Sequence, residues 1–414
     1  MMTFKRLGLI LVVMYSSTGF SVYAGARDTL RIASYNLLNF PGSDVTARLP
    51  YFRTVVQTMK PDVLVVQEMT SQSGTDTFLS SVMNVYQPAL YTTIPFHDGP
   101  DTDNELFFNA DKVSFVSASY IPTTLRHFAE YVLHIVGTSD TLRVYSVHLK
   151  ASSGSANEQQ RLAEATILRN YLNNLPAGSQ FIIVGDYNIY RSDEPAFQKF
   201  LADEANNNGR VRDPLNAVGI WNDYNFRFIH TQSPRVRAFG GGATGGLDDR
   251  FDMILTSYSL DDNIIASSYT AYGNDGNHFN DSINRLPNAA VPDSVANALH
   301  YASDHLPVFA DFVFDNVTSV SGGGTMPASY ALEQNYPNPF NPGTRITYSI
   351  PARQFVSLKV YNVLGQEVAT LVSGSQSAGT HTAAWDASAL STGVYIYRLQ
   401  AGSFVAIKRM VLVR

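Results

Sequence analysis

The 414-residue chain contains no cysteine. That excludes disulfides, thiolate metal sites and a cysteine nucleophile, and leaves the redox compartment open. A protein of this size can rely on its core instead. Charge is scarce too: charged residues are 15 % of the chain against 45 % hydrophobic. This balance belongs to a globular protein with a large core, not to a disordered one. Basic residues are the scarcer sign, 29 against 35 acidic, for a net −6. Global attraction to nucleic acid is therefore absent, and a polyanion must be held by a local basic patch or a metal. At the N-terminus the apolar run Leu7 to Met14 breaks at Tyr15-Ser16-Ser17-Thr18-Gly19, short of the roughly 20 residues of a membrane span. Lys5 and Arg6 before it and Ala24 and Ala26 after it give residues 1–26 the form of a signal peptide.

The length suits two domains plus connecting segments. Residues 27–315 mix short β runs with a few helices. Leu30–Asn36, Val63–Gln67, Phe181–Gly185, Phe251–Thr256 and Leu306–Phe314 read as strands. Leu106–Phe108 and Lys112–Ser119 flank Asn109-Ala110-Asp111 as an expected hairpin, and Tyr131–Val136 with Leu142–His148 as another. Helices are expected over Leu49–Met59, stopped by Lys60-Pro61, and over Asn157–Leu175, ended by Pro176. The pattern predicts an α+β fold of sheets packed face to face with helices outside. Residues 316–329, containing Ser321-Gly322-Gly323-Gly324, read as a flexible linker. Residues 330–414 hold closely spaced strand runs separated by turns, the pattern of a small all-β sandwich.

Chemistry concentrates at strand ends. Asn36, Gln67-Glu68, His148 and Gly185-Asp186-Tyr187-Asn188 close predicted strands. Arg250-Phe251-Asp252 and Ser303-Asp304-His305 open two others. Side-by-side strands bring such ends to one rim, where carboxylates and two histidines call for a cation or substrate between them. Each piece has an ordinary alternative. Asn36 and the 185–188 segment suit turns, Glu68 a solvated strand end, His148 a half-buried strand histidine, and Asp304-His305 a loop-to-strand joint. Asp252 is harder to dismiss, because a carboxylate entering an apolar strand needs a partner such as histidine.

Ser-Tyr-Asn-Leu-Leu-Asn at 34–39, Gln-Glu at 67–68, Ser-Val-His-Leu-Lys at 146–150, Gly-Asp-Tyr-Asn at 185–188, Arg-Phe-Asp-Met-Ile-Leu at 250–255 and Ser-Asp-His-Leu-Pro-Val at 303–308 together resemble the endonuclease/exonuclease/phosphatase superfamily. Its members include DNase I-like nucleases, abasic-site endonucleases, inositol-phosphate phosphatases and bacterial sphingomyelinases. Tyr187 and Phe251 stand where other residues are common. The resemblance implies a four-layer α/β/β/α sandwich and a metal-dependent phosphodiester hydrolase. It implies that Glu68, helped by Asn36 and Asp304, holds Mg²⁺, with Mn²⁺ or Ca²⁺ as substitutes. Asp186 would orient or deprotonate the attacking water, and Asn188 would hydrogen-bond the phosphate. His305, oriented by Asp252, would act as general base or cationic phosphate ligand. His148 would stabilise the phosphate or protonate the leaving oxygen.

Six arginines between 210 and 250 interleave with Trp221, Tyr224, Phe226, Phe228 and Phe239. That mixture suits a phosphate backbone and unstacked bases, with Arg235, Arg237 and Arg250 as expected substrate contacts. Alternatively the aromatics are core and the arginines pair with Asp213, Asp223, Asp248 and Asp249. The glycines at 240–242 and 245–246 imply a mobile loop. The polar stretch Gly273–Asn284 reads as a surface loop or a Ca²⁺ site. The expected substrate is DNA or RNA. The competing readings are a phospholipase or sphingomyelinase, which needs an exposed apolar hairpin, and a non-catalytic surface-binding protein. The motifs Leu332–Pro342, Val360–Val368 and Ser391–Tyr395 resemble a type IX secretion sorting domain of immunoglobulin-like form. That resemblance implies export across both membranes by the secretion machinery; stable membrane insertion is not expected, and the chain is read as a monomer.

Overall fold

The computed structural model describes residues 27–315, 329–351, 354–376, 379–402 and 404–413. The expected signal peptide and the linker up to residue 328 lie outside the described residues. The chain divides into two units, residues 1–318 and 319–414.

In the first unit, one six-stranded sheet contains β1 (Arg27–Phe40), β2 (Val63–Met69), β3 (Tyr91–Thr93), β4 (Asp103–Asn109), β11 (Ile264–Ala271) and β12 (Val308–Asp315), in the order β11-β12-β1-β2-β4-β3. The other contains β5 (Val113–Ile121), β6 (Phe128–Ile135), β7 (Thr141–His148), β8 (Phe181–Asp186), β9 (Val211–Arg212) and β10 (Asp252–Ser257), in the order β5-β6-β7-β8-β10-β9. Period-two alternation splits each strand between two cores. Ile32, Val63, Val65 and Leu106 of the first sheet meet Tyr131, Leu133, Val144 and Val184 of the second. Their neighbours Tyr35, Leu64 and Val66 pack under α1 (Val45–Met59) and α5 (Asp293–Ala302). Tyr145, Val147 and Ile183 pack under α3 (Ser155–Leu172) and α4 (Pro195–Leu201). A short α2 (Gln72–Phe78) adds Phe78 to the first helical layer. The result is the α/β/β/α sandwich. Burying each large apolar side chain contributes about 1.5–3 kcal/mol.

Topology places the polar strand ends. β1 and β2 are parallel, as are β7 and β8, so the crossover helices α1 and α3 are needed to return the chain. Asn36 and Glu68 therefore share one rim, and His148 pairs with Asp186 in register. β10 runs antiparallel to β8, which sets its first residue, Asp252, opposite Asp186. β12 runs antiparallel to β1, so Asp304 and His305, just before it, arrive at the same rim. Gly185 is required there: at φ 138°, a Cβ would stand 2.0 Å from the Val147 carbonyl oxygen.

The expected hairpin at 109–111 is not one. β4 pairs with β2 and β3, whereas β5 pairs with β6 in the opposite sheet, so this turn crosses between layers. The reason is burial: β4 is buried at every position, which fits a strand flanked on both sides, while β5 is an edge strand with exposed residues. α1 begins earlier than expected and ends as expected, with Lys60 in the left-handed region donating to the Val56 carbonyl. α3 stops at Leu172, before Pro176.

In the second unit, β13 (Ala331–Leu332), β14 (Gly343–Ile350) and β17 (Gly379–Asp386) form one antiparallel sheet. β15 (Gln354–Tyr361), β16 (Glu367–Gln376), β18 (Gly393–Ala401) and β19 (Phe404–Leu412) form the other. Ile346, Tyr348, Leu358, Tyr397 and Met410 fill the core between them, the build of an immunoglobulin-like sandwich. Among the described residues no helix is long and apolar enough to cross a membrane.

Candidate active site

Asn36 is the hub. Its Nδ2 donates to Glu68 Oε1 (3.0 Å) and to Asp186 Oδ2 (3.1 Å), so one amide nitrogen joins carboxylates from opposite sheets. Glu68 Oε2 accepts from the Asn39 backbone N–H (2.8 Å). Glu68 adopts φ 61° at the irregular end of the β1–β2 pairing, a conformation that non-glycine residues hold only where the surroundings enforce it. His148 Nε2 lies 3.5 Å from Asp186 Oδ2 and 4.0 Å from Glu68 Oε1. His305 Nε2 lies 3.6 Å from the same Asp186 oxygen, while its Nδ1 bonds Asp252 Oδ2 at 2.8 Å. Asn188 receives Asp186 Oδ1 on its backbone N–H and sends its Nδ2 to the Leu149 carbonyl. Seven of the expected residues are thus one connected cluster.

Their protonation follows from burial and neighbours. Burial pushes Asp186 up to about 7; His305 opposes this, while Asp252 and Glu68 add to it. Burial also opposes charge on His305, but the Asp252 and Asp186 carboxylates outweigh it and hold His305 well above the usual histidine range. His148 goes the other way: burial, Arg126 and His305 all push it down. A neutral His148 whose buried Nδ1 has no partner carries its proton on Nε2, facing the carboxylates. The cluster thus holds an imidazolium, a neutral imidazole and a carboxyl that titrates near neutrality.

Other expected residues are placed differently. Asp304 lies outside that hydrogen-bonded cluster: its Oδ2 accepts from the Ala243 N–H (2.6 Å) and its buried Oδ1 has no partner. It fastens the glycine-rich loop, which also receives Arg235 Nη2 at the Gly241 carbonyl. Arg235 is fully buried, and Arg250, 1 % exposed, makes two 2.8 Å bonds to Asp213 beneath Trp221. Neither can reach a substrate phosphate, because both guanidinium groups are committed inside the core; the pairing reading holds for Arg250. Arg237 alone of the three is exposed. In the Gly273–Asn284 loop, Asp275 accepts from the Asn277 and Ala289 backbone and contacts His278, so its oxygens are already occupied.

Sequence reasoning missed three residues. Arg48 of α1, buried, donates to the carbonyls of Leu37, Leu38 and Ala302 and so ties the Asn36 loop to the segment leading into His305. Arg126, held by Asp101 (3.0 Å) and Thr102, has a buried Nη1 without partner and lies close enough to depress His148. Gln232 Nε2 stands 2.5 Å from His305 Nε2. Opposite a cationic histidine two donors repel, so the amide presents its oxygen there instead. Nothing local marks these positions; each acts across long sequence separations.

The donor set is hard and suits a divalent cation. Glu68 and Asp186 supply hard carboxylate oxygens, and the buried Asp186 carboxyl lacks a compensating positive charge strong enough to keep it ionised. Among the described residues no group of three His, Asp or Glu side chains is arranged to hold an ion by itself. Asn36 Oδ1 accepts from the Leu38 N–H (3.0 Å), which leaves it a second lone pair, and the buried Asp304 Oδ1 has no hydrogen-bond partner.

Behind the rim, Glu105 is buried against Thr75 (3.1 Å) and the Leu106 N–H, and burial pushes it up to about 7. Because its folded value lies above its unfolded one, its contribution is fully present below about pH 4.5 and is lost as pH rises through about 7. Glu105→Gln is therefore expected to stabilise the protein at pH 8 by up to roughly 3 kcal/mol and to do little at pH 4. Urea unfolding at the two pH values reads this directly.

Two stacked sheets carry a buried carboxylate–imidazole cluster at one rim. Residues 33–305 match the Endonuclease/Exonuclease/phosphatase family model, and the chain belongs to that family. Residues 334–413 match the Secretion system C-terminal sorting domain. Similar solved structures include truncated TDP2 from Caenorhabditis elegans, at 18 % identity and TM-score 0.45, covering 69 % of this chain and 98 % of that one. The human Nocturnin catalytic domain gives 18 %, 0.44, and coverage of 69 % and 97 %. An endonuclease/exonuclease/phosphatase family protein from Bacteroides thetaiotaomicron gives 17 %, 0.45, and coverage of 70 % and 99 %. No curated protein matches the sequence. Membership implies phosphoesterase activity in general, and the tail implies interaction with the secretion machinery.

Proposed function

We propose that residues 27–315 form a secreted, divalent-metal-dependent phosphodiesterase that hydrolyses DNA or RNA, exported through the type IX tail. The observation that carries the reading is Asn36 Nδ2 bridging Glu68 and Asp186, with the Nε2 atoms of His148 and His305 3.5 and 3.6 Å from the same Asp186 oxygen. Glu68 would hold Mg²⁺, with Mn²⁺ or Ca²⁺ able to replace it, helped by Asn36 and Asp304. Such an ion polarises a phosphoryl oxygen and neutralises charge developing in the transition state. The chain's own groups do the rest. Asp186, near neutrality in its titration, takes the proton of the attacking water. His305, fixed through Nδ1 by Asp252, offers Nε2–H to a phosphoryl oxygen once Gln232 yields, and Asn188 helps to orient the phosphate. Neutral His148 donates toward the leaving oxygen, with Arg126 beside it. Acidic overall charge makes local groups responsible for holding the polyanion.

The test is a substrate panel. The full chain is given plasmid DNA, RNA, sphingomyelin and inositol phosphates, with Mg²⁺ or with chelator. Metal-dependent cleavage of nucleic acid is expected. Lipid turnover without nuclease activity would transfer the assignment to a phospholipase, and inert behaviour towards every substrate would leave a binding protein.

A further inference from the structure

Beside the site the chain exposes a ridge that the reaction does not use. Tyr224 and Phe228 are each 56 % exposed, and Ile220 is 64 % exposed. The Arg227 guanidinium lies 4.2 Å from the Tyr224 ring centroid and 4.5 Å from that of Phe228. Among the described residues no carboxylate pairs with Arg227. The ridge is rigid: Tyr224 packs edge-on against Phe279 at 5.6 Å, the Arg227 carbonyl accepts from Asn274, and Asp223 caps the Asn225 N–H. It leads straight into the centre. Thr231 Oγ1 receives the Asp252 N–H, and Gln232 meets His305. Phe228 is four residues from Gln232, so their Cα atoms are at most about 14 Å apart.

We propose that Tyr224, Arg227 and Phe228 form a stacking platform for an unpaired base next to the scissile phosphate, so that the preferred substrate is single-stranded nucleic acid. The proposal rests on the nuclease reading above. More than half of each aromatic residue is exposed, and such a surface stacks on any unpaired base, whereas the faces of duplex bases are already covered by their neighbours. A cation clamped between the rings adds attraction for the phosphate chain, which a protein of net −6 must supply locally. The ridge suits a lipid surface less well. Asn222, Asp223 and Asn225 are exposed among the rings, and insertion would strip water from a carboxylate.

The test uses the full chain in chelator, where cleavage is suppressed, and fluorescence anisotropy of a short labelled single strand, its duplex, and phosphatidylcholine vesicles. Tyr224→Ala with Phe228→Ala is expected to weaken single-strand binding about 10- to 100-fold and to leave duplex affinity nearly unchanged. Turnover of bis(p-nitrophenyl) phosphate in Mg²⁺, which needs no platform, should be retained and reports that the double variant folds. Unchanged single-strand affinity, or loss of vesicle binding in place of it, overturns the proposal. Ridge-dependent binding of single strands without any cleavage would instead sink the nuclease reading and leave the platform standing.

Discussion

Asp186→Ala and His305→Ala are each expected to lower kcat/KM for phosphodiester hydrolysis by about 10³-fold or more, and Asp186→Ala to leave thermal unfolding within a few degrees of the parent. The size follows from what each group does. A positioned proton acceptor contributes about 10²–10⁴, and a donor aimed at a developing oxyanion about 10²–10³. Stability should hold or rise in Asp186→Ala, whose charged form burial disfavours, pushing it up to about 7. Removing a group whose charged form the fold resists relieves desolvation. His305→Ala, by contrast, strands the buried Asp252 carboxylate and should cost about 3–5 kcal/mol. Asp252→Asn separates orientation from charge: His305 keeps a partner at Nδ1 but loses the carboxylate that holds it cationic. Steady-state kinetics beside calorimetry distinguishes these outcomes from simple unfolding.

Asp213→Ala is expected to do the opposite, costing about 3–5 kcal/mol of stability while affecting catalysis only through the fraction folded. Asp213 accepts two 2.8 Å bonds from Arg250, and neither side chain is more than slightly exposed. Burial opposes ionisation of Asp213, but Arg250 outweighs it and holds the carboxyl below its usual range. A depressed folded value means that this stabilisation is present above the unfolded pKa and is lost as pH falls. Truncating the acid leaves a guanidinium buried with no counter-charge, the costly half of such a pair. Arg250→Lys should also destabilise, since a point charge cannot reproduce the two-pronged contact. A raised KM with unchanged unfolding in Arg250→Lys would show instead that this arginine meets substrate.

Much of the centre can be read in the sequence because its chemistry sits at strand ends. An apolar run followed by Asn, Glu, His or Asp announces both the strand and the rim. Parallel pairing of β1 with β2 and of β7 with β8 then converts those separate endings into one neighbourhood. What escapes the sequence is pairing across distance. For Arg250 the sequence offers both a substrate contact and a pairing with one of four aspartates, and only the fold selects Asp213. Arg48 looks like an ordinary helix residue, although it clasps Leu37, Leu38 and Ala302. Asp304 stands next to His305, and nothing in the sequence marks the Ala243 N–H that its Oδ2 meets. The turn at 109–111 fails for a related reason: a short polar turn looks the same whether it joins neighbours in one sheet or carries the chain to the other. Helix α5 was not anticipated, being short and introduced by Pro292 within a polar stretch.

A double-mutant cycle tests most directly whether Asp186 and His305 serve one centre. Asp186→Ala, His305→Ala and the double variant would be compared in Mg²⁺ on the same nucleic-acid substrate. Groups that act as a unit are strongly non-additive, so the double variant should be scarcely slower than the worse single one. Two losses that simply multiply would mean that the carboxyl and the imidazole work apart, and the single-centre account would fail.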